Sequence, residues 1–407
     1  MRVLTRPTTS DVVRNRRRWV VLGVGVLAQT AACSFVYGMP FLVPLLRDAG
    51  GLSLAGAGAY VGAPTAGLLL TLIAWGAVAD RTGERLVIAA GLTVCAVAVA
   101  GTALLPGQAV MALLVLGGAG AASVFAASGR MVMGWFGAHE RGTAMGIRQT
   151  AQPLGVALAG LTLPSLGAAV GPWTALLLPA GLCLVSAVLV LALAPDPPRV
   201  PRAAGAAPER SPYRTPVLWR VHGASALLVV PQFAVASFGT EYLVREQGWG
   251  VAAAGAFVAA GQVAGAAGRI GSGWWSDRVG SRLRPMRQIA VAAAVVLLLF
   301  GLGDAVAGWL AVTMLAVGTV VTVADNGLAF TSTAELAGRA WSGRALGIQN
   351  TGQNAIASAV PVALGALVGT AGYGAGFAAA ALAPLIAVMV TPVRAEPAAR
   401  EAAEARR

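Results

Sequence analysis

"GAVADRTGERL", Gly76 to Leu86, crowds Asp80, Arg81, Glu84 and Arg85 between two long apolar runs. The pattern returns as "GWWSDRVGSRL", Gly273 to Leu283, 197 positions later. The runs around these stretches decide what kind of chain this is. Trp19 to Leu46 carries no charge, and neither does Leu86 to Gly129. A helix needs about 20 apolar residues to cross a bilayer. Only 11% of the 407 residues are charged, against 57% apolar. A soluble domain carries roughly 25% charged residues. The composition describes a polytopic membrane protein.

The net charge of +13 comes from 29 basic residues, all of them Arg. They gather in particular loops, which reads as a topology signal and not as a nucleic-acid surface. Without Lys there is no Gly-Lys-Ser/Thr phosphate loop, so the chain encodes no ATPase engine of that type. Cys33, Cys95 and Cys183 lie in apolar runs without metal-ligand spacing and read as small buried hydrophobes. No metal or cofactor is expected. The first apolar run continues past Cys33 to Leu46, longer than a cleavable signal core of about 7–15 residues, so it is expected to be retained.

The hydropathy predicts twelve spans, near 19–46, 55–79, 86–104, 108–133, 142–168, 172–194, 217–244, 250–275, 288–303, 308–333, 344–369 and 371–393. The Pro-rich segment 195–216 between the sixth and seventh reads as a linker. The expected organisation is a tail 1–18, a bundle 19–194, the linker 195–216, a bundle 217–393 and a tail 394–407. Arg crowds the tails, the linker and the loops on their side, while the other side holds only Arg47 and Arg245. Both termini are therefore expected in the cytoplasm, with the chain in the plasma (inner) membrane. "AGAYVGA" (57–63) pairs with "AGAFVAA" (254–260), and "GIRQTAQ" (146–152) with "GIQNTGQ" (347–353). Repeats in one order predict an all-α membrane protein of two pseudo-symmetric six-helix bundles.

Gly-x-x-x-Asp-Arg-x-Gly-x-Arg between spans two and three, with its echo between spans eight and nine, resembles the signature of the major facilitator superfamily. The span count and central linker agree with that resemblance. It implies a cytoplasmic gate formed by Gly76, Asp80, Arg81, Gly83 and Arg85, and by Gly273, Asp277, Arg278, Gly280 and Arg282. Gly76 and Gly273 lack a Cβ and let a neighbouring helix come close. Gly83 and Gly280 permit a tight turn. Asp80 and Asp277, at helix ends, are placed to accept from the N-terminus of a helix in the other half. Arg130, closing span four, stands where the family often pairs an Arg with the motif Asp.

Ionisable residues at membrane depth default to functional hypotheses. Arg269 lies eight residues before Asp277, so it sits roughly 12 Å from the end of its helix. That is near the midplane of a core about 30 Å thick. Gln262 lies two turns away on the same face. Arg-x-x-x-Gly-x-x-x-Asp resembles the eighth span of the monocarboxylate and oxalate/formate branch, whose Arg binds a substrate carboxylate. Ile270 stands where that branch usually has Pro. Arg148, Gln149 and Gln152 give span five a polar face, matched on span eleven by Asn350 and Gln353. Gln29 and Gln232 sit near mid-depth on spans one and seven. These residues are the expected substrate-binding set. Asp325 is the embedded acid and the candidate for proton coupling.

The expected function is a secondary active transporter that works by alternating access as a monomer. Its expected partner is a small organic or inorganic anion, because embedded Arg outnumbers embedded acid. A proton-coupled exporter of drugs or metabolites is the alternative. A receptor or scaffold would need a partner domain, and no nucleophile–base pair or metal cluster suggests an enzyme.

Overall fold

The computed structural model describes residues 9–42, 45–46, 54–105, 107–197, 211–338 and 340–396. Residues 1–8 and 397–407 of the expected tails, residues 198–210 of the expected linker, Arg47 and Arg339 lie outside the described residues. Every described regular element is helical. In hydrocarbon no water can satisfy a backbone N–H or C=O, so the chain must satisfy them within each helix.

The α-helices are α1 (Thr9–Val36), α2 (Leu54–Thr82), α3 (Glu84–Gly101), α4 (Gln108–Trp135), α5 (Arg141–Arg148), α6 (Ala151–Val170), α7 (Pro172–Ala175) and α8 (Leu177–Leu193). After the linker come α9 (Pro216–Arg245), α10 (Val251–Val279), α11 (Leu283–Val306), α12 (Gly308–Val321), α13 (Asn326–Ala337), α14 (Ser342–Ala380) and α15 (Leu382–Val390).

Ten stretches among the described residues are long and apolar enough to cross a membrane. One of them, Ser342–Val390, covers two of the spans expected from sequence. Gly372 interrupts it with φ 84°, a left-handed conformation that only glycine adopts freely. The expected eighth span corresponds to α10, which is not among the ten. Large apolar side chains such as Leu70, Leu161, Val263, Val362 and Met389 stand exposed along the helices, Leu161 to 80%. A water-soluble surface does not carry such a display. This is a multi-pass membrane protein.

The buried apolar residues fall into groups that follow chain order. The largest runs from Val21 to Ala194 and draws on every helix from α1 to α8 except α5. Two others draw on residues between Val221 and Ala387. A smaller group joins these parts: Leu22, Val132, Phe136 and Met145 pack with Phe330, Ala334 and Leu346. Cys33, Cys95 and Cys183 are buried free thiols.

Two of the expected spans are discontinuous. Span five divides into α5 and α6 at Gln149–Thr150, directly after Arg148. Span ten divides into α12 and α13 between Thr322 and Asp325. Each interruption adjoins an embedded ionisable residue.

Candidate functional site

Two junctions close one end of the molecule. Gly83, with φ 108°, turns the chain sharply between α2 and α3. That turn leaves Asp80 at the end of α2, facing the first turn of α14. Its carboxylate accepts from the backbone N–H of Gly343 at 2.9 Å and of Arg344 at 3.2 Å. Free N–H groups at a helix start favour a negative partner. Arg130 donates to Asp80 at 2.6 Å and also to Glu84. A Cβ at Gly76 would lie 2.3 Å from the Gly343 carbonyl oxygen, so the two backbones cross in direct contact.

The second junction repeats the first. Asp277, at the end of α10, accepts from the N–H of Gly142 at 2.9 Å and of Thr143 at 2.8 Å, in the first turn of α5. The Thr143 hydroxyl adds a bond of 2.7 Å. A Cβ at Gly273 would meet the Gly142 carbonyl oxygen at 2.2 Å. The cation is supplied differently. Arg282 lies 2.5 Å from Asp277 and 3.5 Å from Glu335, and it donates to the Ala138 carbonyl. Arg81 and Arg278 stand exposed beside these junctions, and the Arg278 guanidinium lies 4.2 Å over the Trp274 ring. Arg85 donates to the Leu191 carbonyl.

Asp196 and Glu396 belong to these junctions too, and sequence reasoning missed them by assigning them to the linker and tail. Asp196 accepts from the N–H of Glu84 and of Arg85, each at 2.8 Å, which caps α3. Glu396 accepts from the N–H of Arg282 at 2.5 Å and the Ser281 hydroxyl at 2.5 Å, at the start of α11. Both acids follow the last span of their half by a few residues, and that spacing was the available signal.

Deeper in the molecule the expected binding residues divide into groups. Arg148 is 1% exposed and fully engaged. Its Nε donates to Ser128 Oγ at 2.9 Å and its Nη1 to Gln149 Oε1 at 2.7 Å. Phe330 stacks against the guanidinium at 5.4 Å. Gln29 joins this group through Ser128, at 3.2 Å. Gln152, half-buried, lies one turn further along. Asn350 reaches the Phe125 carbonyl at 3.2 Å, and Tyr37 donates to Asn354 at 3.1 Å, so α14 is tied to α4 and to the turn just after α1. Gln232 accepts from Asn326 at 3.1 Å, and Gln353 donates to Ser225 at 2.8 Å. His222, near the start of α9, sits between Tyr213 and Gln349. Burial pushes the Tyr213 hydroxyl well above its usual range, so it stays protonated.

Arg269 is a different kind of cation. It is 4% exposed, yet its Nε has no hydrogen-bond partner. Asp325, at the interruption of span ten, is 2% exposed, and its Oδ2 is likewise without a partner. Among the described residues no ion pair within 4.0 Å joins the two, although each lies within electrostatic reach of the other. The Ser272 hydroxyl lies 3.0 Å from the Arg269 carbonyl and 2.5 Å from the Ala324 carbonyl, so it braces α10 against the interruption. On one side a Cβ at Gly146 would come within 2.4 Å of the Arg269 carbonyl oxygen. On the other, Gln262 is exposed. Seven residues along a helix bring it within about 20° of Arg269 around the axis.

A family model for the Major Facilitator Superfamily matches residues 22–361. An uncharacterized MFS-type transporter of Mycobacterium tuberculosis is 43% identical over 380 residues, 93% of this chain and 85% of that one. The fold is similar to that of the Escherichia coli fucose:proton symporter FucP, with a TM-score of 0.72 and 16% identity, over 92% of this chain and 99% of that one. It is also similar to that of the human organic anion transporter MFSD10, with a TM-score of 0.69 and 17% identity, over 93% and 99% of the two chains. The chain belongs to the major facilitator superfamily. It is a membrane transporter of a small molecule and not an enzyme.

Proposed function

With membership of the major facilitator superfamily as the premise, we propose that this protein is a secondary active transporter of a small organic or inorganic anion that works by alternating access. In this reading twelve spans form two six-helix bundles, 19–194 and 217–393, joined by the linker 195–216. The monomer is the working unit, and the tails 1–18 and 394–407 lie on the cytoplasmic face of the plasma membrane. The excess of Arg on the motif-bearing side supports that orientation. The docking of Asp80 and Asp277 then closes the cytoplasmic gate, and the exposure of Gln262 marks a path open to the outside.

The observation that carries the anion reading is the partnerless Nε of Arg269. A buried N–H without an acceptor costs about 1–3 kcal/mol, and an anion supplies the missing acceptor. The similarity of its span to the monocarboxylate and oxalate/formate branch points the same way. Arg148 has its acceptors already, so its part is to hold Gln29 and Gln149 in the wall of the site. Gln152, Gln232, Asn350 and Gln353 supply neutral hydrogen bonds along the path. A proton is the coupling ion, and Asp325 is the group that takes it up.

The test is counterflow in proteoliposomes preloaded with carboxylates, inorganic anions or cationic dyes. The expected result is exchange of an anion, lost in Arg269→Gln. Undiminished exchange in that variant, or exchange of the dyes alone, overturns the reading and favours the exporter.

A further inference from the structure

Arg269 and Asp325 invite the same question from opposite signs. Each is more than nine-tenths buried, each has a side-chain atom without a partner, and they do not pair with one another. Two buried opposite charges at short range stabilise each other strongly when they touch. Here they do not touch, although Ser272 holds the Arg269 carbonyl and the carbonyl just before Asp325 together.

We propose that the cargo is a zwitterion, a small primary amino acid whose carboxylate meets Arg269 and whose ammonium meets Asp325. This rests on the anion reading above and deepens it. A simple monoanion would satisfy Arg269 and set a second negative charge beside the unpartnered carboxylate of Asp325. An amino acid satisfies both groups at once. Asp325 Oδ2 lacks a hydrogen-bond donor, so the cargo's cation must carry an N–H, which excludes a quaternary ammonium. The cargo enters past Gln262, about 10 Å further along α10. The proton and the ammonium then take turns on Asp325, so the coupling group and the recognition group are the same.

The experiment compares counterflow of alanine, β-alanine and γ-aminobutyrate with that of propionate and butyrate, which lack the amine. The wild-type protein needs no substitution for this comparison, so folding does not confuse it. The expected result is an amino acid exchanged about ten- to a hundredfold faster than its des-amino analogue, because the analogue leaves a buried acceptor unpaired. Asp325→Asn should bring the amino acid down to the rate of the analogue, and Arg269→Gln should abolish exchange of both. If propionate or butyrate moves as fast as the amino acids, or if Asp325→Asn leaves the preference intact, the zwitterion is wrong and the anion reading stands. Exchange of neither class, with inorganic anions also rejected, ends both.

Discussion

The two junctions in which an Asp docks on a helix start look like copies, and they differ in where the cation comes from. At Asp80 the cation is Arg130 on α4, which also holds Glu84. All three residues lie before residue 195, while a longer ion pair, Arg344 to Asp80 at 3.9 Å, crosses to the later part of the chain. At Asp277 the cation is Arg282, the last Arg of the motif itself, which also faces Glu335 and reaches across to the Ala138 carbonyl. Arg141, before the linker, lies 3.8 Å from Glu335, after it. Both clusters therefore join early and late parts of the chain by ions as well as by backbone, and in the second the buried Arg282 itself makes the crossing. The Arg282 side chain is 2% exposed and that of Arg130 is 12% exposed. A shared motif has kept its backbone contact and exchanged its electrostatics.

The largest break in this comparison should come from Arg282→Ala. It leaves Asp277 and Glu335 without their buried cation, a loss of roughly 3–5 kcal/mol. Accessibility of an introduced cysteine in the first turn of α5 should rise sharply. Arg130→Ala should lower thermal stability and change that accessibility much less, because Arg130 itself pairs only with Asp80 and Glu84, both before residue 195. Equal opening in the two variants would refute the asymmetry. A smaller effect is expected at the caps. Asp196→Ala and Glu396→Ala should each cost about 1 kcal/mol, the usual worth of a lost N-terminal acceptor, read as a fall in Tm. The smallest is at the exposed pair, where Arg81→Ala and Arg278→Ala should leave Tm and transport unchanged. A marked loss there would give these side chains a part in the gate that their exposure does not suggest.

Much of this was legible in the residues. The spacing from Arg269 to Asp277 places that cation about 12 Å from the end of α10, and a helix of known rise permits no other distance. The docking of Asp80 and Asp277 on helix starts followed from where carboxylates are stable. Asp196 and Glu396 were not legible, because a cap is made by the chain folding back over a distance that no local pattern records. The same holds for Glu335. Its charge is visible in sequence, but its two Arg neighbours lie on different halves of the chain.

The sequence by itself determined that this chain crosses a membrane many times as helices, and where its charged turns and embedded cations fall along it. Those properties depend on local hydrophobicity and on a backbone that must satisfy itself in lipid. Only the tertiary structure decided which embedded cation is spent and which is free. Ser128 from α4 and Phe330 from α13 converge on Arg148 beside its neighbour Gln149, while Arg269 meets a carboxylate with which it forms no ion pair. That distinction depends on side chains brought together from distant parts of the chain, and burial gives it a consequence in energy.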